Sequence, residues 1–182
     1  MSKIWIGTSG YNYPEWRGSF YPEKMKPADM LPFYAAAFDT VEINYTFYRM
    51  PNAKTIDGWA AATPPEFRFV LKAPKRITHE KRLKEYGDSL AVFVRLASAL
   101  EDRLGPLLFQ LPPNLKKDLP RLEAFLDDGR QAVVRTRARA LGMKIIVAVC
   151  STSAAEMRLS SASRADWVAK PTSALRLRSV LS

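Results

Sequence analysis

A chain of 182 residues with 47% hydrophobic content is long enough to bury one sizeable core, which argues for a single domain and excludes a disordered protein. The formal charge of +10 invites a nucleic-acid partner, yet residues 1–126 carry net +4 and residues 127–182 net +6, so the excess lies where the chain reads least like a packed domain. One cysteine, Cys150, excludes an internal disulfide. It fits a reducing compartment, the N-terminus enters a strand pattern without an apolar leader, and no run nears a membrane span, so the expectation is a cytoplasmic protein with no membrane partner.

Lys3 to Ser9 reads as a short apolar strand ending in a Thr-Ser-Gly turn, and Pro27 to Phe38 carries a helical apolar pattern. Thr40 to Tyr48, rich in β-branched and aromatic residues, predicts the second strand, with a helix over Ala53 to Ala62. Phe67 to Lys72 is the third strand, followed by a polar loop with Thr78 and His79. From Ser89 to Arg103, Leu90, Phe93, Val94, Ala97 and Leu100 fall three or four apart on one helical face. Leu107 to Leu111 gives the fourth strand, stopped by Pro112 and Pro113, and Leu119 to Leu126 the fourth helix. Such alternation implies parallel βαβ units, which leaves mainly a barrel or a doubly wound sheet.

Beyond Leu126 the texture changes: 19 of the 20 aromatic residues and 12 of the 13 prolines come earlier. Lys144 to Cys150 reads as a buried strand, whereas Ser151 to Ser163 is rich in Ser and Ala, a composition that favours weak packing or partial disorder. The expected organisation is therefore a barrel-forming part over residues 1–126 and a divergent tail over 127–182.

Four long, oddly composed segments carry a resemblance. They are Ile6 to Tyr11 with Trp16 to Pro22; Val41 to Arg49; Phe69 to Pro74 with Ile77, Thr78 and His79; and Leu104 to Pro113. In this order they resemble the YecE-like family, known as domain of unknown function 72, over about residues 4–126. The resemblance implies an α/β fold of the TIM (β/α) barrel kind with parallel strands, and no established activity comes with it. A complete barrel of this kind takes about 250 residues, so it would be incomplete here. The family's next feature, an acidic-aromatic-Arg-His strand followed by a Ser-Trp turn, has no match in Ala132 to Arg137. Ala165-Asp166-Trp167 and Leu175 to Arg178 resemble a later family segment only faintly. A shifted reading frame or internal rearrangement near residue 127, leaving a truncated barrel, would account for this.

In a barrel, functional groups gather at the C-terminal ends of the strands. Period two puts Glu42, Asn44 and Thr46 on one face and Val41, Ile43 and Tyr45 on the other. A carboxylate in the lumen needs a partner, and Lys72 at the end of the next strand is the nearest cation. Such a pair either poises an acid or base or simply stitches neighbouring strands together. His79, the one histidine, suits proton transfer or phosphate contact near neutrality, or holds a loop; Thr78 beside it reads as a cap more readily than as a nucleophile. Gln110 ends the fourth strand as either a rim amide or a satisfied core amide.

Ser9 and Tyr11 flank a Gly turn with backbone donors for an anion, a weak signal in so short a turn. Tyr11, Trp16, Phe20 and Tyr21 stack a ligand ring or pack as a plug, and Arg17, Tyr48 and Arg49 are candidate ligand contacts at the same rim. One histidine and one cysteine cannot build a common zinc site, which leaves only a carboxylate-bound Mg²⁺ open; no metal is expected, and the cofactor stays unknown. Neither a phosphate-binding Walker loop, a dinucleotide glycine fingerprint nor a nucleophile elbow occurs.

Three readings follow. The first is a barrel enzyme, hydrolase-like in its acid–base chemistry, that binds a small polar or phosphorylated ligand at the rim. The second is a nucleic-acid-binding protein using Arg17, Arg49, Lys75, Arg76, Lys81 and Arg82, and the third an inactive barrel fragment. The oligomeric state is left open.

Overall fold

A run of short apolar strands, each followed by a helix with one apolar face, winds in the computed structural model into a sheet of order β5-β4-β3-β2-β1-β6. The structure describes residues 4–135, 145–149 and 174–178. The strands are β1 (Ile4–Ser9), β2 (Thr40–Ile43), β3 (Arg68–Lys72), β4 (Leu104–Leu111), β5 (Ile145–Val149) and β6 (Ala174–Arg178). Strands β1 to β5 pair in parallel with their sequence neighbours. A doubly wound sheet reverses its strand order at a switch point; the five parallel strands, β1 to β5, run in sequence order without reversal, which is the winding of an incomplete (β/α) barrel. One departure from the all-parallel expectation is β6, which lies antiparallel against the outer edge of β1.

The helices are α1 (Pro27–Ala37), the single turn α2 (Tyr45–Tyr48), α3 (Ala53–Ala61), α4 (Gly87–Ala97) and α5 (Leu119–Arg135). Local chemistry sets their starts. Pro27 sits in the first turn of α1, where its missing N–H costs nothing. Asn52 caps α3 by accepting from the Thr55 N–H at 2.8 Å, and Asp118 does the same for Arg121 N–H at 3.1 Å ahead of α5. None of the described helices is long and apolar enough to cross a membrane.

Alternate strand residues face the helices. Val41, Ile43, Phe69, Leu71, Leu107 and Phe109 pack against Tyr34 of α1, Ile56 and Trp59 of α3 and Phe93 and Val94 of α4. On the opposite, luminal face, Thr40, Glu42, Val70 and Leu108 are buried too, as parallel strands covered on both sides require. Gly7 marks the closest approach between β1 and β2: a Cβ there would stand 1.9 Å from the Thr40 carbonyl oxygen. Gly7→Ala is therefore expected to cost about 1–3 kcal/mol by prising the two strands apart. Urea unfolding would detect it, and an unchanged midpoint would contradict the close approach.

Several boundaries differ from the sequence reading. The second strand stops at Ile43, because Asn44 turns helical (φ −79, ψ −19) and the Thr46 hydroxyl reaches the Ile43 and Lys72 carbonyl oxygens at 3.0 and 2.6 Å. That side-chain bond offers the backbone an alternative to the sheet ladder. The helix foreseen over Ser89 to Arg103 breaks after Ala97 into a tighter turn, Ser98–Arg103, with Glu101 at φ 48. The polar loop holding Thr78 and His79 is a π-helical turn, Arg76–Glu80. Strand β4 begins three residues earlier than foreseen. Helix α5 continues past the compositional break at 126 to Arg135. The strand foreseen at Lys144 to Cys150 is present as β5, and the faint match at Leu175 to Arg178 falls in β6. Ser151 to Ser163 and Ala165-Asp166-Trp167 lie outside the described residues.

Candidate functional site

The luminal face turns polar toward the C-terminal ends of the strands. Ser9 of β1 lies in register with Glu42 of β2, Glu42 with Val70 of β3, and Lys72 of β3 with Leu108 of β4. This register sets Lys72 one step nearer the rim than Glu42. Their charges meet at 3.6 Å, with the side chains 4% exposed for Glu42 and 18% for Lys72. The pair foreseen from sequence is thus formed. At 3.6 Å it is an ion contact longer than a good hydrogen bond, so the ammonium keeps hydrogen-bond donors available.

Asn44, just past β2, donates from Nδ2 to Ser9 Oγ at 2.8 Å and ties the first two rims together. Gly10 adopts φ +83, a left-handed conformation that suits glycine. Its N–H donates to the Glu42 carbonyl oxygen at 2.9 Å. The backbone donor that the Ser9–Tyr11 turn was expected to offer an anion is therefore already used at Gly10. Thr46, read from sequence as a luminal strand residue, instead braces the turn that leads into α2.

That turn brings in a residue the sequence reading did not single out. Phe47 lies under the Lys72 ammonium, whose Nζ is 5.3 Å from the ring centroid, and it meets the His79 ring edge-on at 5.0 Å and 86°. An ammonium over an aromatic face is attracted by the ring quadrupole. Phe47 therefore links the Glu42–Lys72 pair to the histidine. Its only sequence signal was membership of the Val41 to Arg49 segment, because alternation does not foresee a helical turn.

His79 Nδ1 lies 2.8 Å from the buried Thr78 hydroxyl. If that hydroxyl donates to the Pro74 carbonyl oxygen, 3.5 Å away, the ring proton resides on Nδ1 and Nε2 is left as the acceptor. Burial, then the charges of Lys72 and Arg82, hold the imidazole below its usual 6.5, which favours a neutral ring at neutral pH. Arg82 stands in a loop where Arg82, Leu83 and Glu85 all have positive φ, 49, 58 and 44. Left-handed backbone costs a non-glycine residue roughly 1–2 kcal/mol. Leu83, 3% exposed within the core, pins that conformation.

The other candidates lie apart from this cluster. Gln110 is half-buried on the same strand face, two residues beyond Leu108. Tyr11 and Trp16 are half-buried in the aromatic group, with Trp16 centroids 5.8 Å from Phe20 and 6.1 Å from Tyr21. They pack on the α1 side of the sheet. Arg17 and Arg49 are exposed, and Tyr48 is 74% exposed, so none of the three is built into a pocket. An open cleft of ≈ 360 Å³ lined by Thr8, Trp16, Ser19, Phe20 and Phe38 shares no residue with the charged cluster. We centre the site on the cluster, because the cleft is mostly apolar and carries no ionisable side chain. Among the described residues no group of three or more His, Cys, Asp or Glu side chains is placed to hold a metal ion.

A family model described as a protein of unknown function, DUF72, matches residues 5–159, most of the chain and all of this rim. The chain belongs to the DUF72 family. It is similar to the UPF0759 protein YecE of Escherichia coli, 32% identical over 125 residues that make up 68% of this chain and 43% of that protein. The UPF0759 protein YunF of Bacillus subtilis is 32% identical over 116 residues, 60% of this chain and 40% of the relative. This DUF72 chain thus spans less than half the length of these curated relatives. In structure it resembles a DUF72 family protein from Thermotoga maritima with a TM-score of 0.62 and 31% identity, covering 79% of this chain and 54% of that one. A DUF72 family protein from Enterococcus faecalis, at TM-score 0.52 and 21% identity, shares the fold. The four sequence segments that suggested the family are those that build the β1–β4 rim.

Proposed function

We propose that the β1–β4 rim of this DUF72 chain binds a small polar or phosphorylated ligand and carries out acid–base chemistry on it, hydrolysis being the reaction class it suits. Neutral His79 is the group to accept a proton near pH 7, and the Lys72 ammonium the one to steady developing negative charge. Glu42 orients Lys72. The observation that carries this reading is the convergence on Phe47 of an ion-paired lysine and the histidine, a cation and a proton-exchanging ring at one rim. The competing nucleic-acid reading is weaker, because two of its six cations are already paired, Lys75 with Glu80 at 3.3 Å and Lys81 with Glu85 at 2.7 Å. We further propose a cytoplasmic location, supported by the single cysteine.

Thermal-shift screening of small polar and phosphorylated compounds tests the reading. Hits should stabilise the wild type by about 5–10 degrees, what saturation near 100 times Kd provides. Glu42→Gln and Lys72→Met should each abolish most of that shift. Equal responses in all three proteins would remove the rim from consideration, and binding that collapses with salt and requires Arg17, Arg49 and Arg76 would favour nucleic acid instead.

A further inference from the structure

The charges around the Phe47 ring do not balance. Lys75 and Lys81, on either side of the π-helical turn, are neutralised by Glu80 and Glu85. Lys72 shares the single carboxylate of Glu42. Among the described residues, Arg82 has a long 3.4 Å contact with the Asn114 amide oxygen, which carries no charge. Two cations thus act on the histidine, Lys72 from β3 and Arg82 from the strained loop, with Phe47 of α2 and the Thr78 hydroxyl as its uncharged neighbours. Glu42 is held behind Lys72, on the side away from the rim.

We propose that Lys72, His79 and Arg82 form a site for a dianionic oxyanion, the terminal phosphate of a small phosphate monoester, and that His79 takes up a proton as this group binds. The proposal rests on the functional reading above and names its ligand class. An oxyanion between the two cations reverses the field that keeps the imidazole neutral, and the protonated ring adds a third donor. The left-handed turn at Arg82 and Leu83 leaves the guanidinium exposed beside Asn114, just past the C-terminal end of β4, while Leu83 is anchored in the core. A clustered trio suits a compact dianion better than the spaced single charges of a nucleic-acid backbone.

Burial and the two cations hold the imidazole below 6.5, so the sign of the linkage is fixed: a dianion moves it up, and affinity must strengthen as pH falls. The chain has one histidine, so its NMR titration has one origin. Inorganic sulfate is the probe, because it stays dianionic between pH 5 and 8. Saturating sulfate should raise the His79 midpoint by about 1 unit, and sulfate affinity should fall about tenfold from pH 5 to pH 8. Arg82→Gln should weaken sulfate binding and shrink the shift, and His79→Asn should leave weaker binding with little pH dependence. Glycerol 3-phosphate, whose own second ionisation lies at about pH 6, should move the His79 midpoint in the same direction.

A midpoint unmoved by sulfate, or moved equally by chloride at matched ionic strength, overturns the proposal, as does a response to a single-stranded oligonucleotide but not to glycerol 3-phosphate. Two failures remain separable. If sulfate leaves His79 unchanged while screening hits still depend on Glu42 and Lys72, the anion assignment alone falls. If sulfate binds as described and Glu42→Gln alters no ligand response, the anion site stands and the acid–base reading falls.

Discussion

Lys72→Met is expected to lower the stability of the protein by about 3 kcal/mol at pH 7, the low end for breaking a buried pair, because it strands the Glu42 carboxyl at 4% exposure. The reciprocal change is milder. In Glu42→Gln the lysine keeps its Phe47 contact and some access to solvent at 18% exposure, so the loss should be about 1 kcal/mol. The double variant should recover most of what Lys72→Met loses, since a neutral amide beside a thioether needs no counter-charge. Urea unfolding at pH 7 measures this. Equal losses for the two single variants, or a double variant as weak as Lys72→Met, would show that the pair is not a buried charge contact.

Phe109→Ala should have the larger effect on the fold itself, about 4 kcal/mol, a substantial part of the roughly 5–15 kcal/mol that holds a domain folded. Phe109 is fully buried on β4 and meets two rings at once, Phe93 of α4 at 6.1 Å and Phe125 of α5 at 4.9 Å. Phe125 in turn packs edge-on against Tyr86 at 4.9 Å, and the Tyr86 hydroxyl donates to Asp128 at 2.7 Å. This chain of contacts fastens α5 to the sheet. Truncation should therefore lower the denaturation midpoint and also speed amide exchange across residues 119–132 more than across α1. Phe109→Leu should cost less, because less cavity is left. A Phe109→Ala loss no greater than that of Phe33→Ala, whose ring is 38% exposed, would contradict the contact chain.

Both predictions bear on how far the chain could be read without its coordinates. The order of the βα units, the family and the Glu42–Lys72 pair were legible, because alternation, turn residues and strand ends are local signals. Neighbouring parallel strands then bring residues at matching rim positions together whatever the details. His79 was legible as a candidate because it is the one histidine and follows a strand end. Phe47 was not, nor was the role of Thr46, since a β-branched and aromatic run from Thr40 to Tyr48 reads as continuous strand. The extent of α5 was hidden for a similar reason: the aromatic-poor composition after Leu126 masks a helix that continues to Arg135.

Sequence alone determined the two faces of the second strand, Glu42 on one and Val41 and Ile43 on the other, since side-chain period is written in neighbouring positions. The tertiary structure decided where β2 stops and what stands beside Lys72. Thr46 finds the Lys72 carbonyl 26 residues away, and Asn44 finds Ser9 35 residues away. Those bonds exist only once the strands are paired, and it is in that paired state that α2 presents Phe47 to both the lysine and the histidine.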